Sequence, residues 1–586
     1  MRRHRSVGRP LTVATAIAAL LFAACSPRAE VAEPDEGPVP AEPSLEPAPP
    51  PAHQGELADP PPEPVDEEPE EDPGPVLGAY GVSAGDTAAV AAGMGILEEG
   101  GNAIDAAVAT AFAVAVVEPF ASGIGGGGAA VIAWPGEDPV AIDYREVVAQ
   151  DGRIPGSNVG IPGFVAGMGE LLEAHGTLGL AEVLEPAIAL ARDGSPTSQT
   201  LATQLRNSAH RLPVGRLPHL YPGGRALNAG EPLVQTELAD TMERLAEHGT
   251  DDLYEGEIAA TLSASIDGID GASLAAYGVQ RSSPASGSFG GYEVHAAAPP
   301  LPGTGLVQML QVAEAMGAED HRLGSADLIH TIVMAWRVAD RSIASVLGDP
   351  DFVDVPVARL TDPERNAELA AEVPRDGLLA TRPAPDQPPG QLTLATTATG
   401  PGNTTHLTVV DADGVMVSMT NTLTNFWGSG QYELGFFLND QLRRFSIGGG
   451  SSNVPEPGRR SVSWSLPALV TDQEGRPVLG IGSPGGRRIP NVLTQVLVRW
   501  GLHGQSLEEA VAAPRFHLEG ADLHVEQLPA GEVADELYAR GYASISVPSP
   551  PLYFGSVQAL EVDHEAGAVK GARDTRREAD WDVGAP

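Results

Sequence analysis

The sequence predicts a mixed α/β (α+β) fold in which helix, sheet, sheet and helix form a four-layer αββα sandwich. The chain of 586 residues is long enough for a large single core or for two domains. Residues 160–350 read largely as helices, including segments at 164–174, 180–193 and 326–347. After Thr404 the pattern shifts to strands and glycine turns, with helices near 490–500 and 506–512. Helical and strand blocks that alternate around Thr404 suggest layers that bury their apolar faces against one another.

The first 25 residues are typical of a secretory signal peptide. Four arginines lie in this segment, and the apolar run from Leu11 to Ala24 is too short for a comfortable membrane span. Cys25, the only cysteine, follows a segment that is similar to a bacterial lipobox, although Phe22 stands where an aliphatic residue is usual. We expect an exported, periplasmic or cell-surface lipoprotein that is anchored in the membrane through Cys25. The alternative is a chance cysteine at the end of a signal peptide.

Residues 26–77 are predicted to be a disordered tether. They contain 16 prolines and 15 acidic residues, with Arg28 as the only basic residue that is not a histidine. Such a segment cannot bury enough apolar surface to offset the entropy of ordering. The whole chain has a net charge of −43; the tether contributes −14 and the signal arginines +4, which leaves −33 for the body. This charge argues against nucleic-acid binding and against an anionic membrane surface as the partner of the body.

Two helices are predicted at the start of the body. Asp86 is a typical N-cap for a helix that runs to Glu99, and Gly100-Gly101 ends it. Asn102 is placed to cap a second helix, rich in alanine and valine, that ends near Pro119. Because this second helix is apolar almost all round, we expect it to be buried.

The glycine run at 123–128 matches the pattern GxGxxG. A dinucleotide-binding loop needs a strand before this motif and a helix after it. Here the run follows a helix and enters an apparent strand at 129–134. The order of elements therefore favours close backbone packing over a nucleotide site.

The segment from Asn403 to His406 opens a predicted hairpin. Residues 404–410 suit a buried strand, Asp413-Gly414 supplies a turn, and 415–422 returns as the partner strand. The hairpin brings Thr422 back beside Thr404. A threonine that opens a strand is usually β-branched filler, so spacing alone leaves a structural and a catalytic interpretation open.

Seven blocks between Gly81 and the C-terminus resemble the γ-glutamyltranspeptidase family in order and spacing. They are EEGGNAIDAAVATAFAVAVVEP, SGIGGGG, AIDYRE, GIPGFVAG, NTTHLTVVD, GSPGG and APRFH. The resemblance implies the αββα fold of the N-terminal-nucleophile hydrolases. It also implies a chain that cleaves itself into a large subunit, 78–403, and a small catalytic subunit, 404–586, which stay together as a heterodimer. No cofactor and no metal ion are expected.

The resemblance makes Thr404 the nucleophile, which is released as a new N-terminus by cleavage of the Asn403–Thr404 bond. A threonine hydroxyl is a weak nucleophile, but an N-terminal threonine carries its own base, an α-amine with a pKa near operating pH. The same hydroxyl would first attack the preceding carbonyl and form an ester by an N-to-O shift, which water then hydrolyses. Thr422 matches the family's hydroxyl partner and would hold the Thr404 oxygen in position.

Other family residues match positions in this chain. Arg145 matches the arginine that grips the substrate α-carboxylate, a task that suits a guanidinium fork; a surface ion pair is the alternative. Gly485 and Gly486 match the pair whose N–H groups form the oxyanion hole, and a plain tight turn is the alternative. Ser463 matches a serine that hydrogen-bonds the same carboxylate, and Gln441 matches a ligand of the substrate amino group.

Three positions depart from the family pattern, and all three concern the acyl group. Thr424 stands where the family has an asparagine that contacts substrate, and Trp464 replaces a second serine. Arg444 stands where an aspartate pairs with the γ-glutamyl ammonium. A cation there repels an ammonium, unless a local shift lets Asp440 take the role.

The leading functional hypothesis is a γ-glutamyltransferase or glutathione hydrolase. Its donors would be small γ-glutamyl amides, and its acceptors would be water or amines. The alternative is a related amidase with altered acyl specificity, for glutaryl groups or peptide-linked glutamate, which Arg444 would favour. A catalytically silent surface lipoprotein is the third hypothesis, and the retained Thr404, Thr422 and glycine pair argue against it.

Overall fold

The computed structural model describes residues 77–380, 404–445, 452–548 and 551–585. The predicted signal peptide with Cys25, nearly all of the tether and Asn403 lie outside the described residues. Among the helices that the structure describes, none has both the length and the apolar character needed to cross a bilayer.

Helices make up much of the described chain. The α-helices are α1 Thr87–Glu98, α2 Ala103–Val117, α3 Phe164–His175, α4 Leu180–Asp193, α5 Gln199–Ser208, α6 Thr236–His248, α7 Glu257–Ser265, α8 Gly271–Ala275, α9 Gly303–Ala315, α10 Ala326–Ile343, α11 Val357–Leu360, α12 Pro363–Ala371, α13 Ile489–Leu497, α14 Leu507–Ala512 and α15 Gly531–Ala539. Short 3₁₀ turns are Val214–Arg216, Pro222–Gly224, Thr250–Leu253, Ala318–Asp320, Gln441–Arg444, Gly486–Arg488 and Pro551–Phe554, and a π turn, Val498–Leu502, extends α13.

The strands of the described residues are short. In chain order they are β1 Tyr80–Ala84, β2 Gly127–Ala133, β3 Val140–Asp143, β4 Ser195–Pro196, β5 Pro232–Leu233, β6 Gln280–Ser282, β7 Ala285–Phe289, β8 Tyr292–Ala296, β9 Thr404–Val410, β10 Met416–Thr422, β11 Tyr432–Glu433, β12 Phe436–Phe437, β13 Ala468–Thr471, β14 Pro477–Gly482, β15 Phe516–Glu519, β16 Asp522–Val525, β17 Ser544–Ser546, β18 Gln558–Asp563, β19 Ala568–Gly571 and β20 Asp580–Gly584.

Two large antiparallel sheets form the centre of the described fold. The first has the strand order β20-β1-β9-β10-β2-β3-β6, and the second has the order β19-β18-β14-β13-β8-β7. Their facing sides share one apolar cluster, in which Val410 and Met416 of the first sheet meet Leu469 and Leu560 of the second. The two sheets are therefore stacked face to face.

Helices cover the outer side of each sheet. Helices α1 to α4 share a core with β1, β9 and β10 of the first sheet, while α9, α10 and α13 share a core with β13 and β14 of the second. Every residue of α2 is buried, as its uniform apolar composition predicted. The predicted four-layer αββα architecture is confirmed.

Most predicted elements of the body are confirmed close to their predicted ends. Asp86 caps α1 by accepting from the Ala88 N–H, and Asn102 caps α2 in a capping box. The predicted strands of the Thr404 hairpin are β9 and β10, with Gly414 in the turn at φ +83°. The predicted helices at 164–174, 180–193 and 326–347 correspond to α3, α4 and α10.

The prediction that 160–350 is largely helical missed its strands, three of which belong to the two large sheets. Residues 280–296 form β6, β7 and β8, and the last two are a hairpin of the second sheet around Gly290-Gly291. These strands are short and rich in serine, glycine and alanine, so their propensity is weak. They are strands because β8 pairs with β13, which lies far away in sequence.

The glycine run at 123–128 lies where the chain passes very close to other backbone. A Cβ atom at Gly126 would lie 2.4 Å from the Thr422 carbonyl oxygen, and one at Gly125 would lie 2.3 Å from the Phe437 carbonyl oxygen. At Gly128 it would lie 2.3 Å from the Asn421 side chain. Close backbone packing, which the sequence favoured, is confirmed, and it seats β2 against the end of β10.

Candidate active site

The hairpin of β9 and β10 places Thr404 directly opposite Thr422. The two residues are the last pair of the antiparallel register, and the Thr404 hydroxyl lies 3.3 Å from the Thr422 hydroxyl. Thr404 is 6% exposed and Thr422 2%. The Thr424 N–H donates to the Thr422 hydroxyl oxygen at 2.8 Å, which fixes that oxygen beside Thr404.

The second sheet approaches β9 through two glycines. A Cβ atom at Gly480 would lie 2.4 Å from the Thr408 side chain, and one at Gly482 would lie 2.3 Å from the His406 ring. Moving two residues forward on β14, from Gly480 to Gly482, moves the contact two residues back on β9, from Thr408 to His406. Alternate residues of a strand share a face, so Thr404 points to the same side as His406 and Thr408. The next step along β14 reaches the loop that follows it, and Thr404 therefore lies towards this loop.

His406 is a structural residue of this layer. Burial lowers the pKa of His406 to about 3, so the ring is neutral at physiological pH. Its Nδ1 atom is 2.8 Å from the Thr420 hydroxyl, and its Nε2 atom is 3.2 Å from the Thr408 hydroxyl. Because both ring nitrogens are bound to hydroxyl groups of the sheet, His406 is not available as a base for Thr404.

The loop after β14 contains the predicted glycine pair. Gly485 has φ +152° and Gly486 has φ +60°, conformations that favour glycine. The chain then enters a 3₁₀ turn and α13, with Pro490 in the first turn of the helix. The helix predicted near 490–500 is therefore α13. A Cβ atom at Gly486 would have no heavy atom within 4 Å.

A chain of polar contacts links the hydroxyl pair to Arg145. Thr424 has φ +79°, and its hydroxyl donates to the Gln441 side-chain oxygen. The Gln441 amide donates to the Ser461 hydroxyl at 2.9 Å, and Arg145 Nη1 donates to the Ser461 carbonyl oxygen at 2.7 Å. Three residues that the sequence singled out separately, Thr424, Gln441 and Arg145, therefore belong to one network. Sequence reasoning missed Ser461, two positions before the predicted Ser463.

Arg145 is fully buried and forms an ion pair with Asp143. The guanidinium donates from Nε to Oδ1 at 3.1 Å and from Nη2 to Oδ2 at 2.7 Å. Arg460 brings a second guanidinium, 3.3 Å from Asp143 Oδ1. Burial acts to raise the pKa of Asp143, but the two arginines outweigh it and the pKa lies below its ordinary value. The alternative of a surface arginine is excluded, since Arg145 has no exposed area.

Glu146, the next residue, was missed by the sequence reasoning. Its side chain is fully buried, and burial raises the pKa of Glu146 to about 8. The carboxyl group is therefore mostly protonated at neutral pH. Its position within AIDYRE was the available signal, because a buried acid beside a buried arginine is a common feature of functional sites.

Asp440, Gln441 and Arg444 lie in and beside one 3₁₀ turn, Gln441–Arg444. Asp440 accepts from the Asn425 N–H at 3.1 Å and from the Asn425 amide at 2.6 Å, and Arg443 Nη1 lies 3.0 Å away. These contacts hold its carboxylate in place. Residues three apart eclipse in a 3₁₀ turn, so Arg444 stands on the same side as Gln441, which reaches into the polar network.

Arg444 is only partly accessible to solvent. Burial lowers the pKa of Arg444, with the Asp440 carboxylate opposing this effect. Within the described residues, its buried Nε atom has no hydrogen-bond partner. A guanidinium is suited to bind an anionic group such as a carboxylate.

Ser463 and Trp464 lie in the segment before β13. Ser463 is buried, at 5% exposure. The Trp464 ring packs edge-on against Trp336 at 6.1 Å between centroids, within the core of α10 and the second sheet. Trp464 is therefore a core residue. In the described parts of the chain, no group of three or more His, Cys, Asp or Glu side chains is placed to hold a metal ion.

Comparison with known proteins gives consistent matches along most of the chain. A family model described as gamma-glutamyltranspeptidase matches residues 89–582. The chain is 35% identical over 516 residues to the capsule biosynthesis protein CapD proenzyme of Bacillus anthracis, covering 86% of this chain and 90% of that protein. It is 33% identical over 546 residues to the glutathione hydrolase proenzyme of Escherichia coli strain K12, covering 86% and 91%. The solved structure of a cephalosporin acylase from Bacillus halodurans superposes with a TM-score of 0.78 at 26% identity, covering 88% of this chain and 99% of that one.

Proposed function

The chain belongs to the γ-glutamyltranspeptidase family, and from this premise we propose that it is a self-processing γ-glutamyltransferase and glutathione hydrolase whose nucleophile is Thr404. The observation that carries the proposal is the buried hydroxyl pair at the start of β9, with the Thr404 and Thr422 oxygens 3.3 Å apart. A threonine that only fills space in a strand needs no second hydroxyl beside it, whereas a nucleophilic hydroxyl needs its oxygen held in one position.

Self-cleavage is the first step of the proposed mechanism. The Thr404 hydroxyl attacks the Asn403 carbonyl carbon, its proton passes to the departing nitrogen of residue 404, and an ester replaces the amide. Water then hydrolyses the ester, which gives a fragment that ends at Asn403 and a fragment that begins with Thr404. The sheets support a stable heterodimer of these two fragments. β1 of the first fragment lies between β20 and β9 of the second, so that separating them would break both ladders.

Turnover uses the new N-terminus. The Thr404 α-amine accepts the hydroxyl proton, and the oxygen attacks the γ-carbonyl of the donor. The backbone N–H groups of Gly485 and Gly486 stabilise the negative charge that develops on the carbonyl oxygen. The ammonium then protonates the leaving amine, and water or an acceptor amine removes the acyl group from Thr404. The resemblance assigns Arg145 and Ser463 to the donor α-carboxylate, and Gln441 and Thr424 to the region of its amino group.

A second candidate is an amidase that prefers a dicarboxylic acyl group without a free amine. The half-buried Arg444 guanidinium, on the Gln441 side of the 3₁₀ turn, favours this candidate. Asp440, which could have served the ammonium instead, is already bound to Asn425 and Arg443. A solved structure of the same fold is described as a cephalosporin acylase, which supports the amidase candidate because this fold can carry acylase activity.

Two measurements on purified protein test these proposals. Mass spectrometry should find a fragment that begins with Thr404, because only a processing-competent chain yields two fragments. An intact and active single chain would rule out the mechanism, and an intact, inactive chain would favour a binding lipoprotein. The ratio of kcat/KM on γ-glutamyl and glutaryl anilides then separates the transferase from the amidase.

The proposed location is outside the cytoplasm, with a lipid on Cys25 and residues 26–77 as a spacer. The features of the first 25 residues support this proposal. Cys25→Ser should move the protein from the membrane fraction to the soluble fraction of an expressing bacterium. If the variant stays in the membrane fraction, the anchor lies elsewhere.

A further inference from the structure

Among the described strands, none pairs with the first residues of β9 on the side of β1. β1 pairs with β9 only from Val410 to Thr408, because the chain turns into α1 after Ala84. The other edge of β9 is paired with β10 along its full length, as far as Thr404. The nucleophile therefore lies at a point where one edge of the sheet needs another source of hydrogen bonds.

Arg577 supplies a hydrogen bond at this edge. It lies just before β20, it is 6% exposed, and its Nη1 atom donates to the Thr404 carbonyl oxygen at 3.2 Å. The peptide bond to be cut lies on the other side of the Thr404 Cα atom. Holding this carbonyl oxygen therefore fixes the backbone of the nucleophile both before and after cleavage.

Glu118 follows the last residue of α2 and is buried near the start of β9. Its side chain is 4% exposed, and Gly85 leaves the space that it occupies. A Cβ atom at Gly85 would lie 2.9 Å from Glu118 Oε2 and 3.3 Å from the Thr405 hydroxyl, so the carboxyl group lies beside Thr405. Glu118 and Arg577 attract each other in the interior, where solvent screens little.

We propose that Glu118 and Arg577 are a positioning pair for Thr404, in which Arg577 holds the Thr404 carbonyl oxygen and the negative charge of Glu118, beside Thr405, stabilises the buried guanidinium. This inference rests on the proposed role of Thr404 as nucleophile. If Glu118 loses its negative charge, the positive charge of the buried Arg577 guanidinium is less well balanced. The hydrogen bond from Arg577 to the Thr404 carbonyl oxygen then becomes weaker. Neither residue touches the substrate, so both act through the position of Thr404.

The pair makes self-cleavage dependent on pH. Burial raises the pKa of Glu118 to about 7, while Arg577 and Thr405 oppose this effect. Burial lowers the pKa of Arg577, but a guanidinium remains charged at every pH considered. The other acidic groups that face the pair are Asp86 before α1, and Asp574 and Glu578 from the C-terminal segment. Above pH 7 Glu118 is ionised and the pair is formed; as the pH falls through 7, the carboxyl group takes up a proton and the pair is lost.

Self-cleavage is the cleanest reaction for the test. In the precursor the nitrogen of Thr404 is an amide, so the α-amine, whose pKa is about 8, does not titrate. The full chain would be made by cell-free translation and transferred to buffers between about pH 5.5 and 9, and cleavage would be followed by denaturing electrophoresis. Thr404→Ala serves as the uncleaved reference. If the unsubstituted chain also stays uncleaved, the proposed function itself fails.

The decisive variants are Glu118→Gln and Arg577→Lys, with Glu293→Gln on β8 as a control far from β9. We expect the unsubstituted chain and the control to cleave faster as the pH rises through 7. Glu118→Gln should lose this inflection and cleave about ten- to a hundredfold more slowly above pH 8. Arg577→Lys, which keeps a cation, should recover more activity than Arg577→Met. In the mature enzyme Glu118→Gln should lower kcat with little change in KM.

Circular dichroism and the unfolding temperature establish that each variant is folded. A folded Glu118→Gln chain that keeps the inflection at pH 7 would overturn the pair, while leaving the role of Thr404 intact. An equal loss of cleavage rate at all pH values would also overturn the pair, since it would indicate a packing role that does not depend on the charge of Glu118.

Discussion

The two halves of the candidate site differ in how closely they follow the family pattern. The half with the proposed nucleophile, here called the nucleophile half, contains Thr404, Thr422 and the glycine pair and keeps every residue that the resemblance implies. The acyl half, around the 3₁₀ turn Gln441–Arg444, keeps Gln441 and changes its neighbours. The first half depends on backbone geometry, which few residue types satisfy. The second depends on side-chain charge, which one substitution can reverse, so the reaction and its substrate are separable properties of this chain.

The largest effect is expected at Thr404, the proposed nucleophile. Thr404→Ala should abolish both self-cleavage and turnover, because the residue that follows the cleaved bond then carries no hydroxyl group. Thr404→Ser keeps a hydroxyl and should be processed slowly. Denaturing electrophoresis and hydrolysis of a γ-glutamyl anilide measure the two reactions. Cleavage in Thr404→Ala would mean that the nucleophile half has been identified wrongly.

The oxyanion role of the glycine pair is tested by Gly486→Ala. An alanine at φ +60° has room for its Cβ atom but is strained, so the N–H group should move. We expect kcat to fall by up to about 100-fold with little change in KM. Gly504→Ala is the matched control, since Gly504 has φ +62° and equally open space. Equal losses in both variants would support a plain tight turn.

A smaller effect is expected in the acyl half. Arg444→Asp should raise kcat/KM on γ-glutamyl anilide and lower it on the glutaryl analogue, each by about 5- to 150-fold, which corresponds to about 1–3 kcal/mol. Arg443→Asp makes the same change of charge one residue away, at a side chain that is 54% exposed, and should leave the ratio unchanged. If Arg444→Asp also leaves it unchanged, Arg444 does not face the acyl group.

The smallest effect on catalysis is expected at Asp440. Asp440→Asn removes a charge that accepts from Asn425 and Arg443, so it should lower the free energy of unfolding by about 1–3 kcal/mol. The ratio of γ-glutamyl to glutaryl activity should stay the same. Urea unfolding and the paired assay measure the two outcomes. A selective rise in KM for the γ-glutamyl substrate, with stability kept, would assign the ammonium to Asp440 instead.

Local patterns in the sequence determined much of this protein. Caps at Asp86 and Asn102, the apolar run of α2 and the hairpin of β9 and β10 were all predictable, because each depends on residues that are neighbours along the chain. The four-layer architecture followed from the order of these blocks. The resemblance supplied the residues to examine, from Arg145 to Gly486.

Only the tertiary structure decided which of these residues act together. The strands at 280–296 exist because a distant strand pairs with them, and the network from Thr424 to Arg145 is closed by Ser461, which no local pattern marks. Glu118 and Arg577 are 459 positions apart, and both lie near the start of β9 because α2 and the C-terminal segment pack there. Contacts between distant segments depend on how the layers stack, and the local periodicity of a sequence does not record that stacking.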